Sequence, residues 1–342
     1  MKLTRGLAAI VSQHPALRKG VLLGAYALCY LLFGDVTLDL MFGGADEAFF
    51  WPAVGLAAGV MSVTDGRTRQ SVSIATFAVS AAASMFSGVD WRLSLSVGLA
   101  HVIAPLVFAI VIEKLGSTIT RFGNHWHLVA FAGAAGIAGL AGGTVTALSE
   151  RAFGSTGSEL ASVLGRTMAA DMVGIVLLAG AVAIGTRRAF DGDFQLVADG
   201  WQSRAIPVAT TIVVTTAVFA LPVFDDFSAV GFIVLPLMVW TATVTGQRTV
   251  AVVSMVVGLS AIALTAGGSG PFITGSASTS VLSVQAFVLV AHLTAMALAI
   301  ESESRRVAVA EFEGILNSTN DAVLVADSDG VIRSANEGAG MM

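Results

Sequence analysis

The sequence predicts an all-α bundle of membrane-crossing helices, about ten of them, followed by a short cytoplasmic α/β element. Three observations predict it. The first is composition: of 342 residues, 55% are hydrophobic and only 12% charged, with a mean hydropathy of +0.83. Soluble domains carry about 25% charged residues, so this chain would expose large apolar patches in water. The second is a succession of apolar runs at about 20–40, 48–64, 70–88, 92–113, 126–148, 160–185, 205–222, 229–245, 249–267 and 281–300. Each is near the length of about 20 residues that a helix needs to cross a bilayer. The runs are continuous, whereas strands of a membrane barrel alternate polar and apolar residues.

The third observation is the placement of basic residues. With residues 1–19 in the cytoplasm and ten alternating spans, the outer side holds only Arg92 and Arg151, and Arg166 lies within a span. The rest of the 18 lysines and arginines fall on the inner side, as the positive-inside rule expects. Both termini are therefore expected on the cytoplasmic side of the membrane. Merging one adjacent pair of spans would leave eight and keep both ends inside. Trp51, Trp91, Trp126 and Trp201 fall near span ends, as in an interfacial aromatic belt; Trp240 lies deeper. The single cysteine, Cys29, excludes an intrachain disulfide.

The chain divides into a cytoplasmic segment, 1–19, a membrane domain, 20–300, a charged juxtamembrane helix, 301–313, and a tail, 314–342. In the tail, Ala322–Ala326 and Val331–Ser334 read as strands around the turn Asp327–Gly330, a hairpin pattern. About 30 residues are too few for an independent core, so the tail reads as the opening of a larger domain.

The ionisable residues within spans are the functional candidates, because each costs several kcal/mol in lipid unless paired. Arg166 and Asp171 share the sixth span. At about 100° per residue they lie some 140° apart, so each is expected to find its partner on another helix. Packing or a ligand or proton role would both explain them. His101 and His292 lie mid-depth in spans four and ten, in the strings A-H-V-I-A-P and A-H-L-T-A-M. Pro52 and Pro236 similarly match between spans two and eight. Spans one to four thus read as a weak duplicate of seven to ten, about an axis along the membrane normal. The two histidines are then expected to face each other, either hydrogen-bonded to neighbouring helices or as a metal, haem or proton site. Trp51 and Trp240 complete the candidate sensing set of Arg166, Asp171, His101 and His292.

Other motifs carry less. Gly267–Gly270 fits G-x-S-G, which resembles the serine motif of rhomboid proteases, but Pro271 follows at once and the stretch reads as a loop. His125-Trp126-His127 reads as an interfacial anchor. The glycines of the fifth span, Gly133 to Gly143, allow close helix approach. No nucleotide loop or metal-binding cysteine set is present, and the chain reads as a non-enzyme. No cofactor is legible, and no nucleic-acid partner is expected.

Three stretches carry a family resemblance: F-F-W-P-A-V-G-L-A-A-G at Phe49–Gly59, L-G-R-T-M-A-A-D-M-V-G-I-V-L-L at Leu164–Leu178, and F-I-V-L-P-L-M-V-W-T-A-T-V-T-G-Q-R at Phe232–Arg248. Taken in order, they resemble the membrane-associated sensor family MASE type one. The tail resembles the opening of a PAS domain. The resemblance implies a sensory input module of a bacterial signalling protein, usually with eight spans. Its outputs would be diguanylate cyclase, phosphodiesterase, histidine kinase or phosphatase domains, with signalling through cyclic di-GMP or two-component systems. Its expected partners are the lipid bilayer, an unidentified small-molecule or lipid ligand, and a second copy of the chain joined through the C-terminal helix. The alternative reading is a small-molecule transporter with a truncated regulatory tail.

Overall fold

A computed structural model describes residues 15–39, 50–154, 159–191, 201–224, 228–318, 322–326, 328–336 and 339. Among these are ten α-helices, one for each predicted run: α1 (Pro15–Asp39), α2 (Pro52–Ser62), α3 (Gly66–Phe86), α4 (Trp91–Lys114), α5 (His125–Phe153), α6 (Leu160–Asp191), α7 (Trp201–Ala220), α8 (Val234–Val244), α9 (Gln247–Ala266) and α10 (Ala277–Ser318). By length and composition, only five of them suffice to cross a membrane: α4, α5, most of α6, α9 and α10. α2 and α8 have 11 residues each, about 17 Å at 1.5 Å per residue, against a hydrocarbon core of about 30 Å. The ten expected spans are thus ten helices of unequal reach.

Local chemistry sets the helix ends. Asp65, Asp90 and Asn124 cap α3, α4 and α5, their side chains accepting the backbone N–H of Thr68, Arg92 and His127. These bonds satisfy amides that have no partner within the helix. Pro52 opens α2, where a proline's missing N–H costs nothing. In the α9–α10 loop, Gly268 and Gly270 take φ of +82° and +107°, so the glycines of G-x-S-G serve a turn.

α6 runs through the centre. From Val173 to Gly180 every residue is buried, and α6 packs on α2, α5, α9 and α10. A helix buried on all sides belongs in the middle of a bundle. α2 is its tightest neighbour: a methyl at Gly55 would overlap the Gly174 carbonyl, and one at Gly59 would come 2.7 Å from the Ala179 carbonyl. Small residues permit such an approach, here between parallel helices.

The duplication expected from the sequence has a counterpart in the packing. α1 packs on α2 and α3, α2 on α3 and α4, and α3 on α4. In the same way, α7 packs on α8 and α9, α8 on α9 and α10, and α9 on α10. Successive helices alternate direction, gathering Arg69, Glu113, Arg121 and Glu303 at one end, here called the basic end. Arg92 meets Phe153 at the other. Outward faces carry Leu28, Leu32, Ile74, Leu99, Val129, Ile137, Val213 and Leu282, all exposed, as a lipid-facing surface would.

α10 continues past the bundle. Beyond it, Leu324–Ala326 and Ile332–Ala335 (β1 and β2) form the predicted hairpin, antiparallel with a register irregularity at Val325/Ala326. The buried Asn336 ties it to α10: its Oδ1 accepts from Val323 and Ala339, and its Nδ2 donates to the Leu316 carbonyl. Two strands are a hairpin and do not amount to a PAS fold.

Candidate functional site

A polar cluster is built where α1, α3, α4 and the start of α2 converge beside α6. Tyr30 of α1, Ser80 of α3 and His101 of α4 meet at the His101 ring, whose Nδ1 lies 3.0 Å from the Tyr30 hydroxyl and 2.8 Å from Ser80 Oγ. Trp51 covers the same imidazole, ring centres 5.3 Å apart. The Trp51 backbone N–H donates to the Ala170 carbonyl of α6, one residue before Asp171. One turn before Tyr30, Tyr26 packs against it at a tilt, ring centres 5.9 Å apart, and hydrogen-bonds Thr76 of α3.

Asp171 lies next to this cluster. It is 2% exposed, and its Oδ1 has no hydrogen-bond partner among the described residues. Its other oxygen sits over Gly142 of α5, where a methyl would come 2.7 Å from it and 3.5 Å from the carbonyl of Ala100, the neighbour of His101. Glycine at 142 is therefore what admits a carboxylate between α4, α5 and α6. A buried polar atom without a partner is costly in a low-dielectric interior.

The other predicted residues lie elsewhere. Arg166 is half-buried, five residues before Asp171 on α6. His292 is buried in the second half, its Nδ1 2.8 Å from Ser254 Oγ of α9. It lines a small gap with Phe122, Gly180 and Gln247, toward the basic end. The two histidines hold equivalent α3–α4 and α9–α10 pairings but do not share a site. Trp240 points outward from α8, 41% exposed. Trp51, His101 and the neighbourhood of Asp171 are thus brought together, and His292 and Trp240 are not among them. Tyr26, Tyr30 and Ser80 were missed by sequence reasoning. Two tyrosines one turn apart in an apolar run were the available signal, since the chain has only two.

A second set of contacts closes the basic end. Gln247, at the start of α9, donates from Nε2 to the Phe122 carbonyl (2.9 Å) and accepts the Phe122 N–H at Oε1 (2.7 Å). Arg306 of α10 donates to the Thr243 and Thr245 carbonyls at the end of α8. Glu303 pairs with Arg121 at 2.8 Å, and Glu301 lies 3.6 Å from His125 of the H-W-H motif.

A family model for MASE1 matches residues 20–306, from the start of the apolar sequence to the Arg306 clasp. The chain belongs to the MASE1 family. MASE1 is a membrane sensory input domain found in signalling proteins, and with the apolar helices it makes this a multi-pass membrane protein. No curated protein and no solved structure gives a significant match.

Proposed function

We propose that this MASE1 domain receives a ligand or membrane signal in its first half and passes it through α10 to a cytoplasmic output domain. The observation that carries the reading is the continuity of α10. Its 42 residues span about 63 Å, roughly twice the hydrocarbon thickness of a bilayer. Inside the bundle it packs on α6, α8 and α9; beyond it, the same helix runs on to Ser318, and Asn336 of the hairpin bonds to its Leu316 carbonyl. A shift of packing around α6 therefore has a direct mechanical outlet. A ligand drives that shift by its differential affinity for two packings, so it must bind where helices repack. The unsatisfied Asp171, beside the Tyr30–His101–Trp51 cluster, is such a place.

In this reading all ten helices cross or enter the bilayer, the basic end is cytoplasmic, and both termini lie there. The hairpin opens a PAS-like domain, and the chain itself has no enzymatic activity. Val309, Phe312 and Ile315 are exposed beyond the bundle and pair with a second copy.

Two experiments test this. With Cys29 replaced by Ser, Ser276→Cys should label only from outside the cell and Arg69→Cys only from the cytoplasm; the reverse would overturn the orientation. Joined to a cyclase reporter, Asp171→Ala should abolish the response at an unchanged membrane level, and joint loss of protein and response would make Asp171 a packing residue. The repeated halves also suit a transporter, and solute uptake in proteoliposomes would favour that reading.

A further inference from the structure

A cavity of about 250 Å³ opens between α1, α2, α3 and the end of α6, apart from Asp171. Its wall is divided. Leu23, Cys29, Leu56 and Val72 make the deeper part apolar, and Tyr26 belongs to it. Three hydroxyl-bearing residues, Thr64, Thr68 and Thr186, line the part at the basic end, where α2 finishes, α3 starts and α6 nears its end. The residues that follow Thr186 and precede Thr68, Arg187 and Arg67, are both exposed. Gly185 lines the cavity, and nothing lies within 4 Å of the place its Cβ would take, so the space is open and not a crevice between packed side chains.

We infer that this cavity is a binding site for a single-chain amphiphile with an anionic head, such as a medium-chain carboxylate. The apolar wall would take the chain, which gains from every apolar surface removed from water. The threonine hydroxyls would hold the head at the level of the interface, where its charge is least costly, with Arg67 and Arg187 next in the chain to Thr68 and Thr186. The size and the polar-to-apolar axis suit one chain entering from the basic end and do not suit a diacyl lipid. Tyr26 connects the site to the rest of the molecule: it lines the cavity, hydrogen-bonds Thr76, and packs at a tilt against Tyr30, which meets His101. The inference supplies a ligand class for the sensory reading, but binding itself does not depend on that reading.

Cys29 lines the cavity and is the chain's only cysteine, which makes it a built-in reporter. The rate of maleimide labelling is measured on the intact chain in nanodiscs of zwitterionic lipid, with decanoate, decanol or neither. Decanoate at ten times its Kd should slow labelling about tenfold, because only about one molecule in eleven is then empty. Gly185→Leu, which fills the open space, should remove the protection and keep the helical content; Arg187→Gln with Arg67→Gln should weaken decanoate alone. No protection by decanoate overturns the proposal. Equal protection by decanol overturns the anionic head, and protection on changing to anionic nanodisc lipid without decanoate makes a bilayer lipid the occupant and overturns the free amphiphile. Protection without any change in reporter output would leave the site standing and remove the sensory reading.

Discussion

α2 and α8 hold equivalent places in the two halves, are 11 residues long, and carry a proline near the start, yet they differ in burial. Every residue of α2 from Pro52 to Met61 is buried, whereas α8 exposes Trp240 and packs on α7 and α10. Glycine makes the difference. Gly55 and Gly59 let α2 lie directly on α6, and α8 has none. A shared pattern of helix pairs therefore does not set how deeply each helix sits; the smallest side chains at the crossing do. The halves also differ in content. The first holds tyrosines, a histidine and a tryptophan around α6. The second is packed by Phe219, Phe232, Phe272 and Phe287, with neighbouring ring centres 5.2–6.3 Å apart, and delivers α10 to the basic end. In the proposed function the half that holds the His101 cluster receives and the half that ends in α10 transmits.

Substitutions at the α2–α6 crossing should break this contrast most. Gly55→Leu should cost about 3 kcal/mol or prevent folding, since backbone on backbone leaves no room to adjust. Gly133→Leu on α5, with nothing within 4 Å, should leave thermal unfolding of the purified protein unchanged. The histidines come next. His101→Leu should cost about 2 kcal/mol, because Tyr30 and Ser80 lose a common partner in a buried site. His292→Leu should cost about 1 kcal/mol, because Ser254 keeps its bond to the Ala251 carbonyl. Equal losses would show that the halves are energetically alike. Glu303→Gln should matter least, about 0–1 kcal/mol by denaturation, because its pair with Arg121 is solvent-exposed on the Arg121 side and screened. A larger effect would mean that the basic end bears more of the fold than its geometry indicates.

Much of the fold was legible because helix formation in an apolar chain is a local matter. The predicted run at 92–113 is α4 at Trp91–Lys114, and that at 249–267 is α9 at Gln247–Ala266. The prediction at 229–245 was less accurate: the structure begins there with a short 3-10 turn, Ser228–Ile233, before α8. Of the two labelling sites, Arg69 lies at the basic end and Ser276 just before α10 at the other. Asp171 stood out as an acid within a span, but its surroundings did not.

The sequence by itself determined the helices, the apolar character of the chain and its family, because each depends on neighbours within a few residues or on the order of apolar runs. Only the tertiary structure decided that His101 joins Tyr30 and Trp51 while His292 stays apart, that Asp171 lies over Gly142, and that Gln247 pairs with Phe122. These contacts join residues far apart in the chain. They depend on which faces two helices turn toward each other and how closely glycine lets them approach, quantities fixed by the packing of the whole bundle and not by any one segment.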